Sequence, residues 1–159
     1  MYWFKRKYNQ IQRVIDFLPI IWRGFDWDYM YSIELFKHQL KRTEESLKSG
    51  NSYGIDAKNR ASRIKTAIQL IDNVYEEKYG MEWMDELEKR YGKDVLEWDV
   101  ENEDDEKYVT IRYKFEKWSH GHEIYMVKSE LAEKSYNKQK KAHKLLWNFI
   151  EHNIQSWWD

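Results

Sequence analysis

The stretch from residue 96 to residue 115, LEWDVENEDDEKYVTIRYKF, is where the chain changes its period. Leu96, Trp98 and Val100 alternate with Glu97, Asp99 and Glu101, and Val109, Ile111, Tyr113 and Phe115 alternate with Thr110, Arg112, Lys114 and Glu116. Period-two alternation rich in β-branched and aromatic residues specifies strands. The acidic run 102–107 joins them, so the sequence predicts a β-hairpin at roughly 95–116. A lone hairpin is marginally stable in water, so this one must lean on helices or pair with another chain.

Outward from the hairpin, the apolar spacing is helical. Ala57, Ala61, Ile64, Ile68, Ile71 and Tyr75 recur in fours and threes, with Asp56 as a cap and Gly80 as a stop. The small Ala57 and Ala61 allow another helix to approach closely. Phe4, Tyr8, Ile11, Ile15 and Leu18 form a like stripe over residues 3–18, where Pro19 should end or kink the helix. A second helix is expected from a cap at Asp26 to about Ser49, with Tyr29, Ile33, Phe36, Leu40 and Leu47 on its apolar side and Gly50 at its C-terminal end. Trp83, Leu87 and Tyr91 mark a short fourth helix over about 82–91. A long last helix runs from about Ile124 to Ser156, with a seam of Leu145, Leu146, Phe149, Ile150, Ile154 and Trp157. Its middle is basic (Lys134, Lys138, Lys140, Lys141, Lys144), so it projects into solvent or meets something acidic. The expected fold is mainly α: about five helices forming a bundle, a hairpin inserted before a long C-terminal helix, and one domain over residues 1–159.

The chain's 159 residues include 9 Trp, 12 Tyr and 6 Phe but only 6 Gly, 1 Pro and no Cys. That aromatic content supplies ample area for a core. The missing cysteines exclude a disulfide framework, thiolate metal sites and cysteine catalysis. No apolar run approaches the ~20 residues needed to span a bilayer, and MYWFKRKYNQ is no secretory signal. A soluble protein with no membrane partner is expected, although a basic amphipathic first helix can also lie on a membrane surface. The net charge of −1 is segregated. Residues 1–70 carry 13 Lys/Arg against 7 Asp/Glu, residues 71–107 carry 5 against 15, and residues 108–159 carry 9 against 6. That balance argues against a general duplex-binding protein but leaves room for a local basic pocket.

Catalytic patterns are missing. His120-Gly121-His122-Glu123 lacks the three-ligand geometry of a zinc site, and the acids around Asp99 to Glu106 lack calcium-loop spacing. There is no glycine-rich phosphate loop and no nucleophile elbow. No catalytic residue, metal or cofactor is therefore expected. What remains is aromatic residues interleaved with bases. Trp stacks on nucleobases and Arg grips phosphate in bidentate fashion. Trp22, Arg23, Trp27, Arg60, Arg63 and Lys65 form the candidate ligand site, provided the second and third helices bring them together.

The Trp22-to-Asp28 cluster, the helix Tyr29–Lys41 and the ending Trp157-Trp158-Asp159 resemble a group of small proteins encoded by tailed bacteriophages. The resemblance implies a phage or prophage origin, action in the cytoplasm of a bacterial host, and a non-enzymatic role such as antagonism of host defence. Three functions are compatible with the residues. The first is a sponge for a small anionic nucleotide signal. The second is a structural or protein-inhibiting module that meets a host protein through the acidic hairpin or the basic last helix. The third is a nucleotide hydrolase using scattered carboxylates. Homo-oligomeric assembly is expected, since symmetric association is the common habit of small binding proteins.

Overall fold

The computed structural model describes residues 2–24, 28–49, 56–102 and 109–158. Among them are five α-helices and one antiparallel hairpin: α1 (Tyr2–Arg23), α2 (Tyr29–Lys48), α3 (Ala57–Tyr75), α4 (Glu82–Tyr91), β1 (Trp98–Asn102), β2 (Val109–Tyr113) and α5 (Gly121–Asn153). The mainly α fold, with its hairpin ahead of a long last helix, is as the sequence predicts. The chain divides into two compact units, residues 1–75 with 148–159 and residues 76–147.

In the first unit α3 is the most deeply buried helix. Ala57, Ala61, Ile64, Ile68 and Ile71 of the predicted stripe lie inside with Ala67 and Val74 beside them, whereas Tyr75 is half-buried. α2 packs along α3, and the two run antiparallel: the Tyr29 ring lies 6.3 Å from that of Tyr75, and Lys37 pairs with Asp72 at 2.6 Å. The turn Gln155–Trp157 packs on α3 and buries Trp157. α1 is antiparallel to α2. Asp16 pairs with Arg42, the Phe17 ring meets His38 edge-on at 4.6 Å, and Gly24 lies against the Tyr31 ring, where a Cβ would collide.

Several boundaries differ from those read in the sequence. α1 runs through Pro19 to Arg23. The proline lies on an exposed side of the helix, where water can solvate the carbonyl it leaves without a donor, and the Arg23 Nε donates to the Pro19 carbonyl oxygen. Asp28, two residues later than predicted, caps α2: its Oδ1 accepts from the Met30 amide at 2.9 Å. Asp26 and Gly50 lie outside the described residues. α3 stops at Tyr75, five residues before Gly80, and Glu77 turns the chain with φ 51°. α5 begins three residues before Ile124, at Gly121, whose Cβ position is filled by the Phe115 carbonyl.

In the second unit Leu87, Val95, Phe115 and Ile124 are fully buried, with Trp83, Tyr91, Leu96, Tyr113, Trp118 and Val127 around them. The strands are shorter than predicted because Leu96 and Phe115 fall in 3-10 turns, Lys93–Leu96 and Lys114–Lys117. Those turns break the alternation of the ribbon and send Phe115 into the helical core.

Candidate functional site

Of the six residues singled out by sequence, the five described ones fall in two groups. Trp22 is 86% exposed at the end of α1, beside Arg23. Trp27 lies outside the described residues. Arg60, Arg63 and Lys65 sit in the first half of α3. Tyr75, at the end of α3, is the residue that neighbours the start of α2. Residues 60–65 are therefore on the order of 15–20 Å along the helix axis from that end, at 1.5 Å per residue. Trp22 and Arg23 stand at the start of α2, and the α3 cations stand toward its far end. Arg63 and Lys65 are exposed, whereas Arg60 is half-buried with its Nε shielded from water and without an acceptor among the described residues.

The basic middle of α5 meets acids. Lys138 Nζ donates to both Glu82 carboxylate oxygens, at 2.6 and 2.7 Å, and lies 5.1 Å from the centre of the Tyr79 ring. Across the same open groove of about 800 Å³ between α4 and α5, Arg90 pairs with Glu86 at 2.8 Å. The Arg90 hydrogen bond, assisted by the charges of Arg90, Lys89 and Lys134, holds the Glu86 carboxyl below its ordinary value. Most of the groove's charge is thus answered from within. Near it, Lys128 Nζ stands 3.9 Å from the centre of the Tyr113 ring and 5.8 Å from those of Trp83 and Tyr125. Burial pulls the Lys128 pKa down against the opposing charge of Glu116. The ring faces solvate this ammonium where water is partly excluded.

The hairpin carries the clearest unmatched surface of the second unit. Its register pairs Trp98 with Tyr113 and Val100 with Ile111, which puts these four on one face of the ribbon. Tyr113 is half-buried and stacks between Trp98, at 4.5 Å, and Phe115, at 5.3 Å, so it joins the ribbon to the core. Beyond it the face is open: Trp98 is 57% exposed, Val100 60% and Ile111 56%. Among the described residues the sheet has two strands, so each has an outer edge with no neighbouring strand. Acids flank the face. Glu97 pairs with Lys114 and Asp99 with Lys117, each at 2.6 Å, and the run 103–106 beyond them is wholly acidic.

The Lys117 hydrogen bond, reinforced by the Lys117 charge, holds the Asp99 carboxyl below its ordinary value. A depressed carboxyl contributes stability above its unfolded pKa and loses it as pH falls through the folded one. Carbon-detected NMR titration should place the Asp99 midpoint below that of an unpaired Asp, and Lys117→Met should move it back up.

Sequence reasoning did not single out Trp98, Val100 and Ile111 as an exposed row, because alternation predicts an apolar face without saying whether anything covers it. Among the described residues no three His, Asp or Glu side chains gather as a metal-ligand group. No described helix is long and apolar enough to cross a membrane. Compared with protein-family models, curated proteins and solved structures, the chain shows no match.

Proposed function

We propose that the protein is a non-enzymatic interaction module that engages a partner protein through its acidic hairpin. The exposed row Trp98, Val100 and Ile111, set on a ribbon with open edges, carries this reading. A strand of the partner can add to such an edge, with backbone hydrogen bonds giving affinity and the apolar row receiving alternate side chains. The acidic surround favours a partner whose edge is basic. The phage-like sequence features support a host protein as that partner and inhibition as the outcome. Self-association belongs to the same reading, because small binding proteins commonly work as closed symmetric oligomers.

Capture from bacterial lysate tests it, with wild-type protein and the Trp98→Asp/Ile111→Asp variant as paired baits. Both side chains are mostly exposed, so the variant should lose no more than ~1 kcal/mol of stability. Proteins held by the hairpin should be retained by the wild type, released by raised salt and lost by the variant.

A second reading, binding of a small anionic nucleotide, draws on one observation: the shielded, acceptor-free Nε of Arg60 with Arg63 one turn away. An anion placed there would supply the missing acceptor. Calorimetry against linear and cyclic nucleotides tests this, with Arg60→Glu expected to weaken binding at least ~10-fold by removing a charge-assisted contact.

A further inference from the structure

We propose that α1 is the seam of a homodimer in which two copies of this chain pair antiparallel through the stripe from Phe4 to Trp22. The inference stands on a different surface from the hairpin and is independent of it. α1 turns Asp16 and Phe17 toward α2. Its broad apolar side faces away: Phe4, Tyr8, Ile11, Ile15, Leu18 and Trp22 are each at least half exposed. At 100° per residue these six span about 80° of the helix, and the neighbouring Trp3, Val14 and Ile21 widen the apolar side to about 140°, more than a strict coiled-coil seam. With the adjoining Trp3, Val14 and Ile21, also exposed, it leaves on the order of 1,000 Å² open. A standard interface takes roughly 800 Å² from each partner, so the side is large enough for a stable dimer by itself.

The spacing says which occupant fits. The six residues recur at four, three, four, three and four, the repeat of a helix-pairing seam. Turned end for end, the stripe is complementary to itself: Phe4 meets Trp22, Tyr8 meets Leu18, and Ile11 meets Ile15. The central layers are then aliphatic and the outer layers aromatic. Charge selects the orientation. Arg6 and Lys7 sit at one end of α1, and Lys7 already lies over the Trp3 ring at 5.9 Å. A parallel pair would bring both cationic ends together. An antiparallel pair separates them by roughly 20 Å along the axis, beyond the Debye length of about 8 Å at physiological salt. Each cationic end then meets the C-terminal end of the other helix, whose last turn carries the single basic residue Arg23.

Sedimentation velocity and site-directed crosslinking test the proposal on the full chain. The wild type should sediment at twice its 19.8 kDa mass at about 10 μM, the range of a modest interface. Ile11→Glu/Ile15→Glu should sediment as a monomer with the same circular dichroism, its dissociation constant raised at least ~100-fold. The chain has no cysteine of its own, so single-cysteine variants report orientation cleanly. Val14→Cys, next to the two-fold axis, should be joined by a short bis-maleimide, and Phe4→Cys should not. A monomeric wild type would overturn the proposal, as would a dimer that survives Ile11→Glu/Ile15→Glu or a crosslink through Phe4→Cys. Flotation of a monomeric wild type with phosphatidylserine vesicles would assign the face to lipid instead. Loss of hairpin capture with the dimer intact would leave this proposal standing and remove the functional reading.

Discussion

Phe115→Ala should cost ~3–5 kcal/mol, because it deletes a ring with no exposed surface and leaves a cavity among Leu87, Val95 and Ile124. Whole-protein stabilities of ~5–15 kcal/mol make that a large fraction. For a chain of this length the melting temperature should fall by on the order of 10 °C. The site cannot close the gap easily, since the Phe115 carbonyl fills the Cβ position of Gly121 and fixes the turn from which the ring projects. Urea unfolding would check the figure. A loss below ~1 kcal/mol would mean that the ring is not part of a packed core.

Trp157→Ala should be of similar size, ~3–5 kcal/mol, in the other unit. The indole is 1% exposed within a turn packed on α3. Trp157→Phe provides the finer test. The Trp157 Nε1–H is buried without an acceptor among the described residues. An unsatisfied buried donor costs ~1–3 kcal/mol, so replacing the indole with an apolar ring removes a penalty while it loses some packing. Trp157→Phe should therefore retain most of the stability that Trp157→Ala loses. Equal losses would show that the indole nitrogen has a partner and is worth keeping.

Helical stripes and strand alternation were legible because they depend on local geometry. The α3 stripe from Ala57 to Val74 is buried as its spacing requires, and the Trp98–Tyr113 and Val100–Ile111 pairs follow the alternation. Chain ends of elements were less legible. Pro19 forfeits one backbone hydrogen bond, yet on an exposed side of α1 the helix continues past it. The inward turn of Phe115 depends on a 3-10 segment that no periodicity announces.

The basic–aromatic site failed for a geometric reason. Short connections make neighbouring helices antiparallel. Groups beside the start of α2 and groups in the first half of α3 are then set apart by on the order of 15–23 Å along the helix axes. Trp22 and Arg23 are therefore kept from Arg60, Arg63 and Lys65 by the element that was expected to unite them. The two apolar faces were legible as faces, but their exposure was not, for a different reason. Amphipathicity says which side of α1 or of the ribbon is apolar, but burial depends on whether the rest of the chain supplies a cover. For Ile11, Ile15, Trp98 and Ile111 it leaves more than half of each residue open.

In the proposed function the hairpin's apolar row serves binding and not folding. Paired capture with wild type and Trp98→Asp/Ile111→Asp, read alongside their urea midpoints, tests it most directly. The account predicts bound proteins that disappear with the double variant while stability changes by no more than ~1 kcal/mol. Capture that survives the double variant, or a variant that loses several kcal/mol and unfolds, would contradict it.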